Sequence, residues 1–318
     1  MSSVFRPYID ANLEELHQNG FKLEYVETFY DEFDRYCEAK GIKEAELTKE
    51  LAEQWVFGCK TESRQQLDKR VRTMKHLARY MISVGKEAYL FQRTIRYEKP
   101  KPPTLLSDSE LIQYFSFVDT GYRYTGRIPY ASAIFPVMFR LIYSCGLRQS
   151  EARLLKRSDY YPGESKILIA NGKDNRDRIV FVHPTMNELL MKFDESFDSR
   201  FHDRVYMFED VSTNKPITKF YVSEIFYKIL RDSSVEVNTA KRQTLHGLRH
   251  LFAVHNMRRC LAGDRDFGNW IKYLSQYMGH ASPQETMYYL HSVVDGLPEY
   301  SRKISSFEKE MEVVYEEK

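Results

Sequence analysis

The chain has 318 residues, of which 42% are apolar, 29% charged and 14% aromatic, a size that suggests about two domains at roughly 150 residues each. This balance excludes collagen-like, mucin-like and wholly disordered chains, and the formal net charge of +2 neither demands nor excludes a nucleic acid partner. The opening MSSVFRPYIDANLEEL carries acids early and has no apolar centre, which is not a signal peptide. No run of about 18 apolar residues is long enough to span a membrane. Cys37, Cys59, Cys145 and Cys260 are far apart and form no CxxC. Together these features predict a cytoplasmic protein with reduced, buried thiols.

The net charge hides an asymmetry. Residues 1–59 hold 6 Lys/Arg against 13 Asp/Glu, whereas residues 60–101 hold 12 against 4. The first hundred residues read as helical. Leu13, Leu16 and Phe21 flank Gly20, a helix stop. Phe29, Phe33, Tyr36 and Cys37 repeat at helical spacing ahead of Gly41. Leu67, Val71, Met74, Leu77, Ala78 and Met81 lay an apolar stripe along a long helix ending near Gly85. The basic residues Arg64, Lys69, Arg70, Arg72, Lys75 and Arg79 fall mostly between these positions. They are expected on the outer face, where a phosphate backbone would meet them. The plainer alternative is a solvated face with internal ion pairs.

Pro100, Pro102 and Pro103 interrupt helix and favour extended backbone. Ser107-Asp108-Ser109-Glu110 then opens a new helix as a capping box. The predicted organisation is a helical domain over 1–98, a linker over 99–104 and a second domain over 105–318. In the second domain, 166–170 and 178–182 are β-rich runs joined by the polar turn Asn171-Gly172-Lys173-Asp174-Asn175. Helical patterns follow at about 186–197, 219–231, 247–260, 266–277, 284–291 and 301–316. The fold class is therefore mainly α with a small β-hairpin or sheet.

The chain has no GxGxxG, P-loop, HExxH, GxSxG or zinc-type Cys/His pairing. Neither a cofactor nor a metal is expected. Arg148 follows an apolar helix and Gly146, placing a guanidinium at a turn; pairing with Glu151 or Glu164 is the structural alternative. His246 and Arg249, three residues apart, share one helix face as an anion-binding pair. His280 lies in a loop-to-helix signal, and Tyr289 comes nine residues later.

Taken in order, Arg148, Lys173, His246, Arg249, His280 and Tyr289 resemble the active site of the tyrosine recombinases, the phage-integrase and Xer-like family. Gly146-Leu147-Arg148-Gln149-Ser150-Glu151 is similar to the family's G-L-R-x-S-E. Gly172-Lys173-Asp174-Asn175-Arg176-Asp177-Arg178 is similar to its G-K-G-x-K-x-R, with Asp174 in place of a glycine and Arg176 in place of a lysine. His246-Gly247-Leu248-Arg249-His250 resembles H-x-L-R-H, and Met278-Gly279-His280 resembles L-G-H. The resemblance covers about 104–300. The helical N-terminal part resembles the family's core-binding domain less specifically.

The resemblance implies site-specific strand exchange on double-stranded DNA clamped between two domains, through a 3′-phosphotyrosine intermediate. It implies Tyr289 as nucleophile, Arg148 and Arg249 on the phosphate oxygens, His246 and His280 as hydrogen-bond and proton partners, and Lys173 as general acid. Glu151 becomes a supporting group. Nearby cations would favour the Tyr289 phenolate. Tyr288 is the rival nucleophile and Lys166 the rival acid; His250, His255 and His291 are read as structural. The acidic, apolar-patterned segment 307–315 implies docking of a C-terminal helix on a neighbouring subunit in a homotetramer. An accessory or partner recombinase is compatible with this, and the expected role is integration, excision or resolution of the DNA of a mobile element, with a chromosome-resolution system as the alternative home. The alternatives are relaxation of DNA as by a type IB topoisomerase, and a non-catalytic DNA-binding module.

Overall fold

The computed structural model describes residues 2–19, 24–58, 62–92, 95, 104–120, 128–170, 177–198, 203–233, 235, 243–263 and 266–290. Its backbone divides into two units, Met1–Lys101 and Pro102–Lys318. The prolines at 100, 102 and 103, Gly20, Cys59, Lys173 and the expected helix at 301–316 lie outside the described residues.

The first unit consists of α1 (Arg6–Gln18), α2 (Glu24–Ala39), α3 (Lys49–Phe57) and α4 (Arg64–Ser83). The sequence reading did not include α3, which starts where the Thr48 hydroxyl accepts the Leu51 amide at 3.2 Å. Ser63 and Gln66 form a capping box ahead of α4. Gly41 and Gly85 end their helices in the left-handed region, at φ +66° and +77°, a conformation open to glycine. Val71, Met74, Leu77, Ala78 and Met81 are buried against Phe5, Ile9, Tyr30 and Phe33, so the apolar stripe forms this unit's core.

Arg70 is a correction. Its side chain is 10% exposed. It donates to Glu62 through Nε and Nη2, both at 2.7 Å, and to Glu32 at 2.8 Å. Its guanidinium also lies over Trp55 and Phe29, 4.4 and 5.0 Å from the ring centres. Position 70 is three residues after Leu67 and four before Met74, so helical geometry puts it on the apolar stripe. Arg64 and Arg79 are exposed, as is Arg72, which pairs with the buried Asp68 at 2.8 Å. Lys69 and Lys75 are half-buried.

The second unit begins at the expected capping box. The Ser107 amide donates to Glu110 at 2.6 Å and the Glu110 amide to the Ser107 hydroxyl at 3.2 Å, starting α5 (Asp108–Thr120). At its centre is α6 (Ala131–Cys145), whose Ile134, Phe135, Met138, Phe139, Leu141 and Ile142 are buried on all sides. The short α7 (Gln149–Arg153) follows. An antiparallel sheet then forms from β1 (Tyr160–Tyr161), β2 (Lys166–Ile169) and β3 (Arg178–Phe181). In its register Ile167 sits between Tyr160 and Val180, and Ile169 pairs with Arg178. Next come α8 (Pro184–Asp198), the small pair β4 (Glu209–Asp210) and β5 (Lys215–Pro216), and α9 (Lys219–Asp232). The unit is completed by α10 (His246–Ala262), α11 (Phe267–Met278) and α12 (Pro283–Met287). The helix expected over 284–291 is shorter than its pattern: Tyr288 and Tyr289 form a turn beyond α12. Within this unit α10 packs on both α6 and α11, which brings three helix ends together.

Candidate active site

Two of those ends carry the site. α6 terminates at Gly146 (φ +61°) and α11 at Gly279 (φ +66°). A left-handed terminus leaves the last carbonyls of a helix without intrahelical partners. Here arginines take them. Arg249, 1% exposed, donates to the Gly146 carbonyl and to the Met278 carbonyl, each at 2.6 Å. Arg148 donates to the Gly279 carbonyl at 2.7 Å, and Arg178 to the Tyr277 carbonyl at 2.8 Å. Three consecutive carbonyls at the end of α11 therefore each hold one guanidinium, where the helix dipole favours cations.

One carboxylate joins the same three side chains. Glu151 Oε1 accepts from Arg148 Nη1 at 2.8 Å and from Arg178 Nη1 at 2.9 Å. Its Oε2 accepts from the Arg148 amide at 2.7 Å and from Arg178 Nη2 at 2.8 Å, with Arg249 Nη1 3.8 Å away. Burial pushes Glu151 upward, but the Arg178 hydrogen bonds and charge, then those of Arg148, overcome it and hold the carboxyl at about 2. Arg249 is lowered to about 10, by burial first and then by the Arg148 charge. A cluster of three guanidiniums and one carboxylate has a surplus of positive charge, so it favours an incoming anion.

The aromatic half of the site faces this cluster. His246 and His250, one turn apart on α10, meet edge to face with ring centres 4.4 Å apart. His250 is also 4.8 Å from the Tyr289 ring. His280 is 6.1 Å from that ring, and its Nδ1 is 2.6 Å from the hydroxyl of the fully buried Thr286. Burial, followed by the charges of Arg249 and Arg148, lowers His246 to about 4. Burial and the neighbouring His246 lower His250 to about 3. Both imidazoles are neutral proton acceptors near pH 7. Tyr289 is 5% exposed, and burial raises its pKa even though the charge and hydrogen bond of Arg249 and the charge of Arg148 pull the other way. This corrects the expectation that nearby cations favour the phenolate: desolvation outweighs them, and the buried phenol is neutral.

The structure thus brings together Arg148, Glu151, His246, Arg249, His280 and Tyr289 from four separate stretches of sequence. Tyr288 is 40% exposed and Tyr289 is buried in the cluster, so the turn after α12 sends the two adjacent tyrosines to different sides. Lys166 is held by Glu164 at 2.6 Å and lies over the Tyr161 ring. His255 is fixed between the Tyr143 hydroxyl at 2.9 Å and Asp108 at 3.0 Å. The sequence reading missed Arg178, although it stands in the hairpin string, and left His250 as structural. The helical offset of four from His246 was the available signal. Among the described residues, no group of three or more His, Cys, Asp or Glu side chains could hold a metal ion, and no helix is long and apolar enough to cross a membrane.

Comparison with known proteins supplies the wider context. Residues 128–295 match the model of the phage integrase family. A Sinorhizobium fredii protein named as integrase/recombinase y4rB is 24% identical over 309 residues, 95% of this chain and 97% of the relative. A tyrosine recombinase of Pseudothermotoga lettingae is 30% identical over 157 residues, 49% of each chain. This chain thus spans about half of the one relative and nearly all of the other. Among solved structures, the Tn1549 transposon integrase in complex with transposon right end DNA has a TM-score of 0.63 at 14% identity, over 92% of this chain and 99% of that one. That likeness is one of fold.

Proposed function

The chain belongs to the phage integrase family, and from that premise we propose that it is a tyrosine site-specific recombinase acting on double-stranded DNA. The observation that carries this reading is the buried Tyr289 phenol beside a guanidinium cluster with surplus charge. A scissile phosphate would supply the anion the cluster lacks. Arg148 and Arg249 would neutralise its non-bridging oxygens and the charge that grows on them in the transition state.

An arriving phosphate adds negative charge beside a phenol that is already hard to ionise. Attack therefore needs a base; the charge of the arriving phosphate restores basicity that burial and the arginines take from His246, which fits this imidazole to the role. The Tyr289 oxygen forms a bond to phosphorus as the bond to the 5′-oxygen breaks. The phenol proton passes to the imidazole, and Lys173 gives a proton to the leaving oxygen. His280 donates to the phosphate. The 3′-phosphotyrosine keeps the energy of the broken bond, so a second 5′-hydroxyl can reseal the strand without a nucleotide, metal or cofactor.

In the N-terminal unit, Arg64, Lys69, Arg72, Lys75 and Arg79 would meet duplex phosphates and so position the protein, while base-edge contacts specify the site. The active assembly is a homotetramer linked through the C-terminal segment, working in the cytoplasm on the DNA of a mobile element.

The test is covalent trapping on nicked duplexes taken from the ends of the element, which lose the leaving strand after cleavage. The expected result is an SDS-stable protein–DNA adduct that Tyr289→Phe abolishes. An adduct that survives in Tyr289→Phe would move the nucleophile elsewhere, with Tyr288 next. Binding with no adduct would leave a DNA-binding module, and relaxation of supercoils without a second site would indicate topoisomerase action.

A further inference from the structure

We infer that Arg178 is a positioning residue for the reaction: by clamping Glu151 and the end of α11, it fixes Arg148 and Arg249 relative to one another. This rests on the recombinase reading above. Arg178 is distinct from the other two arginines in how it is used. Its side chain is 9% exposed, and all three of its nitrogens donate within the protein. Nη1 and Nη2 grip the two oxygens of Glu151, and Nε takes the Tyr277 carbonyl. A bidentate fork of this kind fixes orientation as well as charge.

Its partners lead directly to the two phosphate-binding candidates. Glu151 Oε1 is shared between Arg178 and Arg148. Tyr277, whose carbonyl Arg178 holds, immediately precedes Met278 and Gly279, whose carbonyls hold Arg249 and Arg148. A methyl group placed on Gly279 would come within 3.0 Å of Arg178 Nη1 and 3.1 Å of Cζ. The guanidinium therefore packs closely against the turn that presents the last of the three carbonyls. Arg178 also begins β3, paired with Ile169, so the root of the sheet is tied to the same carboxylate and the same helix end.

Without Arg178, Glu151 keeps only part of its counter-charge in a buried place, and α11 loses one of its three anchors. Arg148 and Arg249 would then lose their shared frame while remaining charged and present. A residue of this type is silent when the substrate needs no charge neutralisation, and that separates positioning from mere stability.

The experiment uses the full chain and the duplex that forms the Tyr289 adduct. The scissile group is either the natural phosphodiester or a methylphosphonate, in which one charged non-bridging oxygen is replaced by a methyl group. Single-turnover adduct formation is measured for wild type, Arg148→Ala, Arg178→Gln and Arg178→Lys. The expected loss for Arg178→Gln is about 10- to 100-fold on the phosphodiester, less than the roughly 10²- to 10³-fold cost of removing a charge-stabilising donor outright, and about threefold or less on the methylphosphonate. Arg178→Lys restores charge without the fork and should fall between wild type and Arg178→Gln on the phosphodiester. The acid side of the pH–rate profile should also move upward in Arg178→Gln, because Glu151 then protonates more readily. Equal losses on the two substrates, no loss on either, or failure of both variants to fold would overturn the inference and leave Arg178 a stabilising ion pair. Failure of the underlying reading looks different: wild type would form no adduct, or Arg148→Ala would show no preference between the substrates.

Discussion

Arg70 of the first unit and Arg249 of the second are both buried, and the two are held in opposite ways. Arg70 in the first unit meets two carboxylates and two aromatic faces. Arg249 in the second is more deeply buried but is gripped by two backbone carbonyls, with its nearest carboxylate 3.8 Å away and already engaged by two other arginines. Arg70 has its charge answered inside the protein, so it serves structure. Arg249 is oriented by neutral partners and keeps its charge for a ligand. Burial alone does not separate a structural arginine from a functional one; the identity of its acceptors does.

The sharpest way to break this comparison is to remove both charges while keeping most of the aliphatic stem. Arg249→Met should slow adduct formation by about 10²- to 10³-fold, the usual cost of one transition-state charge donor. Arg70→Met should leave the chemistry intact. A comparable catalytic loss in Arg70→Met would end the distinction.

The next effect is on stability. Arg70→Met strands Glu32 and Glu62 without their cation. Stranding part-buried carboxylates in this way costs about 1–2 kcal/mol, or roughly tenfold in hydrogen-exchange protection across α2 and α4. The same variant should leave the salt dependence of DNA binding unchanged, whereas Arg64→Ala combined with Arg79→Ala should lower its slope by about two. A slope that falls in Arg70→Met would return Arg70 to the DNA-binding face.

A smaller, graded effect comes from pH. His246 and His250 have folded pKa values of about 4 and 3, against about 6.5 when unfolded. The unfolded chain binds their protons first as the pH falls. Their contribution to the stability of the second unit is therefore complete above about pH 6.5 and is lost progressively toward about pH 3. At its steepest the slope approaches two protons, about 2.7 kcal/mol per pH unit. Urea unfolding of a Trp55→Phe variant, with Trp270 as the remaining tryptophan, reads this unit alone. His250→Gln should flatten the slope, and an unchanged slope would mean that these imidazoles are solvated.

Helical spacing exposed the core of the first unit, and the capping box at Ser107 marked the start of α5, because both are local signals. The identities of Arg148, Glu151, His246, Arg249, His280 and Tyr289 were legible as an ordered set of short strings. Their convergence was not, since it depends on two helix ends meeting through the packing of α10 on α6 and α11. Arg70 and Arg178 show the limit from two sides. Counting charge put Arg70 on the outside although its offsets from Leu67 and Met74 placed it inside. Reading Arg178 only as part of a hairpin hid its partners, which lie 27 residues away at Glu151 and 99 away at Tyr277. Likewise, the upward shift of Tyr289 depends on burial, which no local pattern reports.

Gly279 offers the site no side chain, only its carbonyl to Arg148, yet a side chain there would be strained and crowded. Its φ of +66° and the Arg178 guanidinium 3.0 Å from where a Cβ would stand exclude even alanine without displacement. A genetic screen for inactive protein should therefore collect substitutions at Gly279 beside those at Arg148 and Arg249, although position 279 has no functional group to lose. The hydrogen that glycine carries in place of a methyl is a working part of the site, so the inventory of residues that a lineage must keep extends to one with no chemistry of its own.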